Sequence, residues 1–182
     1  MEIVTGHTGT QHITSVDDAM FNVAMFGDGE YVLETLDQMG YTIVSNNRVD
    51  IKPGDLMMQG RHGRIPRSTT DQCTIDNGTQ GAIRHDLIVC RYTKSGEIES
   101  MTTVVKKGTQ GSVGQDPPIT TGDINASATV NEMPLYRVVI NGLSISRVDK
   151  LFDTLPTLRR IRSGTSLPTS GVEGDIFLLR EG

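Results

Sequence analysis

Tryptophan is absent from this chain, and its 182 residues include only four tyrosines and four phenylalanines. Surfaces that bind sugars or bases lean on such rings for stacking, so their scarcity argues against a carbohydrate-binding module. Cysteine is nearly absent too, with only Cys73 and Cys90. Each sits in a strand-like segment, TDQCTI and DLIVCRY, and reads as a buried free thiol. A disulfide would need neighbouring strands and an oxidising compartment. Lysine and arginine never run longer than two, and the formal net charge is −5, so the electrostatic footprint of a nucleic-acid binder is missing. No apolar stretch approaches the length of a membrane span. The opening residues MEIVTGHTGTQH lack the basic-then-apolar pattern of a signal peptide. These features read as a soluble product of the cytosol without nucleic-acid or membrane partners.

Catalytic signatures are also missing. There is no Gly-x-Ser-x-Gly, no paired catalytic carboxylates and no cysteine in a nucleophile's context. His7 and His12 could join His62 as a three-histidine metal set, but their spacing fits no recognised zinc pattern. No enzyme activity, cofactor or metal is expected.

What the chain does have is a succession of short β-type runs. Residues 1–13 read as an irregular lead-in. SVDDAMFNVAMFG then reads as a short helix, with Ser15 as cap, Asp17 and Asp18 in the first turn, Phe21 and Met25 on one face, and Gly27 as stop. YVL, YTIVS, RVDIK, QCTI, RHDLIVCRY, ESMTTVVKKG and PLYRVVING read as strands, Asn46-Asn47 closing a hairpin through positive φ. Many short strands at such intervals predict a mostly β domain, a sandwich or barrel, over residues 1–155. SRVDKLFDTL is read as a second short helix near 146–155, from Val148, Leu151, Phe152 and Leu155 at helical spacing. Residues 156–182 read as a linker followed by the strand DIFLLR. GSVGQDPPITTGDINASAT reads as a long surface excursion of the kind that carries contacts to partners.

Three places draw attention as candidate sites. NGTQG at 77–81 recurs as KGTQG at 107–111, and each Gly-Thr-Gln-Gly supplies two permissive backbone positions, Gly78 and Gly81 in the first copy. These read as related loops at one end of the barrel. In the strand that follows, Arg84 and Asp86 project to one face and His85 to the other. His85 and Asp86 therefore cannot form a catalytic pair. Arg84 and Asp86 read as a same-face ion pair, or as ligands of loop carbonyls where the chain joins the sheet. Finally, Arg61, His62 and Arg64 in GRHGRIPR read as a basic, glycine-broken loop that could take an anion or a partner carboxylate. DLIVC and PLYRVVI are apolar on both faces, which places them centrally with a cover on each side. The covers are expected to be the other sheet and then a helix or neighbouring subunit.

MEIVTGHTGTQHIT, QGRHGRIP, NGTQG with the following RHDLIVCRYTK, VKKGT and PLYRVVINGLSI resemble a family of small phage and prophage structural proteins. These occur among the tail and baseplate genes of phages of Gram-positive hosts. The resemblance covers about residues 1–155. It implies that Arg84 and Asp86 shape a turn feeding a central strand of a rigid scaffold that docks in the virion. It further implies a homo-oligomer, by analogy a homotrimer, made in the bacterial cytoplasm and contacting other tail or baseplate proteins. Relatives are often N-terminal regions of longer fibres. This chain stops at Gly182, so a large receptor-binding head is not expected. A small receptor- or carbohydrate-binding module of the tail is the alternative.

Overall fold

The computed structural model describes residues 13–156, 161–169 and 176–181. These form α1 (Ser15–Phe26), β1 (Glu30–Leu33), β2 (Tyr41–Ser45), β3 (Arg48–Ile51), β4 (Gly54–Met58), β5 (Arg61–Ile65) and β6 (Asp71–Thr74). There follow β7 (Ile83–Ser95), β8 (Ile98–Lys106), β9 (Val130–Asn141), β10 (Ser144–Lys150), β11 (Thr154–Leu155), β12 (Ile161–Gly164) and β13 (Ile176–Leu179). The fold is mostly β, and its sheets include a half-barrel. Of the lead-in expected over 1–13, all but Ile13 lies outside the described residues, as do 157–160 and 170–175 of the C-terminal linker.

The strand orders are β11-β1-β4-β5, β10-β9-β7-β8, β2-β3-β6 and β12-β13. The first three sheets share one core, in which Val32, Ile51, Leu56, Met58, Ile88, Val138 and Ile140 are almost fully buried. The long antiparallel pairing of β7 with β9 is its spine. From β7 it receives Ile88, Cys90 and Tyr92, the even-numbered face, as the period of two requires. In β9 the register slips between Ile88 and Val89, so that Ile88 faces Tyr136 and Val89 faces Pro134. Leu135 is the extra residue, and the bulge lets both Leu135 and Tyr136 turn into the core. Cys73 and Cys90 are free and buried, and burial pushes both thiols up to about 12.

The opposite face of β7 holds His85, Leu87, Val89 and Arg91. Leu87 and Val89 are buried, at 3% and 0% exposure, although neither belongs to the shared core. The cover is the chain's own 108–122 segment. It is tied to His85 and Arg137 at one end of this face and to Glu132 at the other. The stretch read as a long surface excursion is thus tied down as a strap across the central sheet, and beyond it Ile124 is buried as well.

Two other readings change. The second helix, near 146–155, is not formed: Ser144–Lys150 is β10, antiparallel to β9. Thr154–Leu155 is β11, parallel to β1. The helical spacing of Val148, Leu151, Phe152 and Leu155 is coincidental. Val148, on β10, and Phe152, in the connection to β11, are both buried, Phe152 with its ring 5.5 Å from that of Tyr136, while Leu151 is exposed. Edge pairing decides the matter, because Val32 and Glu34 of the β1 segment donate backbone hydrogen bonds to Asp153 and Leu155. The β2–β3 hairpin forms at Asn46-Asn47, yet neither asparagine is among the positive-φ residues. A bulge between Ile43 and Ser45 takes up the twist instead. α1 begins one residue earlier than expected, with Thr14 as cap and Asp17 completing a reciprocal capping box.

Candidate functional site

The repeated Gly-Thr-Gln-Gly turns lie side by side. Thr79 Oγ1 donates to Gln110 Oε1 at 2.7 Å. Ile83 and Gly111 exchange two backbone hydrogen bonds, at 2.8 and 3.0 Å. Gly78 is required by close approach, since a Cβ there would sit 2.1 Å from the Gly142 carbonyl oxygen. Gly81 is required by its backbone, with φ +77° in open space. Beneath the turns sit Arg84 and Asp86, each 1% exposed. Arg84 Nε and Nη2 donate to the two Asp86 oxygens at 2.8 and 2.9 Å. Arg84 also reaches back to the first turn, donating to the carbonyls of Asp76 at 2.5 Å and Asn77 at 3.2 Å. Asp86 reaches to the second, accepting from the Gly108 amide at 2.9 Å. One buried pair therefore holds both turns, and its polar atoms are used internally.

Within GRHGRIPR, Arg61–Ile65 is a strand, not a loop. Gln59 and Gly60, at φ +50° and +86°, form the tight turn, and β5 then alternates inward Arg61, Gly63 and Ile65 with outward His62 and Arg64. Gly63 reads as a breaker but serves packing: a Cβ would meet Met101 Sδ at 2.8 Å and Leu56 Cδ1 at 3.1 Å. The cations that suggested an anion site already have carboxylates. Asp55 of β4, buried, accepts from Arg64 Nε at 2.6 Å and from Thr35 Oγ1 at 2.5 Å, and His62 Nε2 lies 2.7 Å away. Burial pushes the Asp55 carboxyl up, but Thr35, Arg64 and His62 together hold it below the ordinary aspartate value. Arg61 donates to Asn125 Oδ1 at 2.5 Å and lies 3.4 Å from Glu99. Its Nε is buried without a partner.

The strap is fastened by two carboxylates absent from the sequence-based candidates. Glu132, 2% exposed, accepts from Lys106 Nζ at 2.5 Å, Arg91 Nε at 2.8 Å and the Thr120 amide at 2.7 Å. Its own amide donates to the Thr120 carbonyl at 2.8 Å. Asp116, inside the strap, receives both Nε and Nη2 of Arg137 and lies 2.9 Å from His85 Nδ1. Gly114 lies so close to the His85 ring that a Cβ would come within 2.3 Å of Nε2. The signal for Glu132 was a lone acid two residues before Pro134-Leu135 in a two-sided strand, at a position that needs cationic neighbours.

An open cleft of about 630 Å³ is lined by Val23, Asp28, Glu30, Gln59, Gly122, Asp123 and Asn131, among others. It presents carboxylates and amides but no aromatic ring. Another open groove, along Ser15, Arg61, His62 and Glu99, has Tyr92 in its wall. That ring is 1% exposed and its hydroxyl donates to Glu99 at 2.7 Å. Neither offers the stacking platform that a sugar-binding module would use. Among the described residues no group of three His, Cys, Asp or Glu is placed to hold a metal ion, and no helix is long and apolar enough to cross a membrane. His7 and His12 lie outside the described residues. Comparison with protein-family models, curated proteins and solved structures finds no match for the chain.

Two outcomes follow from this geometry. Arg84→Ala or Asp86→Ala leaves a buried charge without its partner, a loss of about 3–5 kcal/mol. A fall in melting temperature on the order of 10 °C is expected, and an unchanged melting temperature in either variant would show that the pair does not hold the turns. The strap should loosen in acid. Glu132 is pushed up by burial, but Lys106, the Thr120 amide and Arg91 hold it below the ordinary glutamate value. Asp116 is lowered chiefly by Arg137. Groups with depressed folded-state values contribute stability that is fully present above the unfolded carboxylate range, near pH ~4, and lost as pH falls through the folded values. Amide exchange at Thr120, corrected for intrinsic rate, should stay slow from neutral pH down to that range and accelerate below it. In Glu132→Gln it should be fast already at neutral pH.

Proposed function

We propose that this protein is a structural component of a phage or prophage tail or baseplate, an oligomeric adaptor that docks in the virion. We take it to be a homotrimer, made in the bacterial cytoplasm, with other tail or baseplate proteins as further partners and no catalytic role. The resemblance of NGTQG, RHDLIVCRYTK and PLYRVVING to such proteins supports the reading. The observation that carries it is where apolar surface is left uncovered. The central sheet is covered on both faces by the chain itself, through the shared core and the strap. α1 and β13 are not: Phe21 and Met25 are 67% and 59% exposed, and Leu178 and Leu179 are 56% and 61% exposed. A chain that closes its own core yet leaves such surfaces open is built to be completed by other chains.

Light scattering at tens of micromolar should report a mass of three chains, and a monomer at that concentration would overturn the oligomeric reading. Deleting residues 1–13 should leave a folded, soluble protein that no longer enters particles. Normal incorporation of that truncation would place the virion contacts elsewhere.

A further inference from the structure

Each of the three sheets that share the core ends in edge strands, and an edge presents main-chain groups that another strand can take up. Charged side chains blunt most of these edges: Arg61 and Arg64 on β5, Asp71 on β6, Glu99 and Lys106 on β8, and Arg147 on β10. β11 is blunted by its length, since it has only two residues. β2 differs from all of them. Its sequence, Tyr-Thr-Ile-Val-Ser, holds no charge, no proline and no glycine, and every residue in it is exposed. Tyr41, Ile43 and Val44 are 37%, 45% and 51% exposed.

The register shows which main-chain groups face outward. Lys52 donates its amide to the Gly40 carbonyl at 2.7 Å, which makes those two a hydrogen-bonded pair. The ladder continues with Tyr41 opposite Ile51, Thr42 opposite Asp50 and Ile43 opposite Val49. Bonded and non-bonded pairs alternate along an antiparallel ladder. Thr42 therefore turns its amide and carbonyl to Asp50, while Tyr41 and Ile43 turn theirs to the open edge. Among the described residues no backbone group outside the β2–β3 ladder meets them. The bulge falls after Ile43, between it and Ser45, so the presenting segment is regular. It is also held from behind: the Tyr41 ring lies 5.1 Å from that of Tyr136, and its hydroxyl donates to the Val148 carbonyl at 3.3 Å.

We propose that β2 pairs antiparallel with β2 of a second copy of this chain, about a two-fold axis that passes through Thr42. In that register Tyr41 stands opposite Ile43 of the second copy and Ile43 opposite its Tyr41. All the outward amides and carbonyls of both strands are then used. Thr42 meets its own counterpart as the non-bonded pair between them. Aromatic with β-branched, and Thr with Thr, are favourable cross-strand pairs, and an uncharged strand sets no like charges against each other. A slip of one residue would bring outward groups of one copy against inward groups of the other, so the register is specified. The contact is isologous, which a self-complementary strand satisfies without any second patch. Two strands of this length bury less than about 1,200 Å², so a single contact is weak and forms where copies are concentrated. It goes beyond the threefold reading and does not depend on it: the same contact joins two monomers or two trimers.

Cysteine cross-linking on the full chain tests this. Facing residues of a non-bonded pair stand about 4.5 Å apart at Cα, within reach of a disulfide. Cys73 and Cys90 are buried with their thiols pushed up to about 12, so they do not compete. Under mild oxidation Thr42→Cys should give the covalent dimer about tenfold faster than Val44→Cys, because pairing raises the effective concentration of one thiol at the other. Val44 is on the same exposed strand, but in this register it faces Gly40 of the second copy and stands too far from Val44 there to bridge. Ile43→Pro, added to Thr42→Cys, removes an outward amide and leaves the β3 ladder intact. It should bring cross-linking down to the Val44→Cys rate. Should its circular-dichroism melt show that it does not fold, Ile43→Lys takes its place as an edge charge. Equal rates for the two cysteines, or cross-linking that survives the edge substitution, overturns the two-fold contact, whatever other strand β2 takes up. The wild-type mass is read separately, so that failure leaves the adaptor reading standing, and a monomeric wild type leaves this contact standing.

Discussion

The buried pair of Arg84 and Asp86 fixes where the rest of the chain can go. It sits at the start of β7, the longest strand, and binds outward in both chain directions. Arg84 grips the turn that leads into β7. Asp86 grips the amide of Gly108, where the chain leaves β8 and the strap begins. Each partner alone would be a buried charge with several kcal/mol of uncompensated desolvation. Together, with two carbonyls and an amide as further partners, they are satisfied. The pair's contribution to net stability over an apolar substitute can be small. Its contribution to placement is larger, because the two Gly-Thr-Gln-Gly turns cannot exchange positions or drift while their backbone groups are bound.

The same device recurs on the other face of the sheet. β7 is apolar on both sides, so it needs two covers, and a cover made of Gly, Thr and Pro has little apolar surface with which to hold itself down. Glu132 and Asp116 supply what the strap's own side chains do not, anchoring it through cations that stand on the sheet itself: Arg91, Lys106 and Arg137. A polar, irregular segment can then exclude water from Leu87 and Val89 without a helix or a second subunit. That removes one reason for supposing that the central sheet meets a partner, and shifts attention to α1 and the C-terminal pair.

Much of the fold was legible because strand periodicity is strong where one face is buried. The β class, α1 with its stop at Gly27, the hairpin at Asn46-Asn47 and the central place of DLIVC and PLYRVVI could all be read from spacing. The failures have specific causes. The segment 146–155 shows helical spacing by coincidence. Its fate was decided by the open edge of β1 far away in sequence, and no local pattern reports that. GRHGRIPR was misread because glycine at 63 signals a break in isolation, while in the fold it makes room for Met101 and Leu56. Its arginines suggested a free cationic loop because the carboxylates that neutralise them, Asp55 and Glu99, lie on other strands. The Arg84–Asp86 pairing was legible from its i, i+2 spacing, but its grip on both turns depends on register. Glu132 and Asp116 escaped notice because neither forms a motif. Their importance comes from the strap they fasten, and the strap's path is a tertiary fact.

The distribution of polar satisfaction also bears on how the molecule meets other chains. Among the described residues, the buried charged groups Arg84, Asp86, Asp50, Asp55 and Glu132 are each engaged by partners within the chain. None is left for a ligand to complete. Arg61 is the exception in one atom only, its Nε. What remains uncovered is apolar surface, on α1 and β13 near the two ends of the sequence and also on Ile43 and Val44 of β2 and on Ile98. Apolar surface is non-directional and is satisfied by any well-fitting cover.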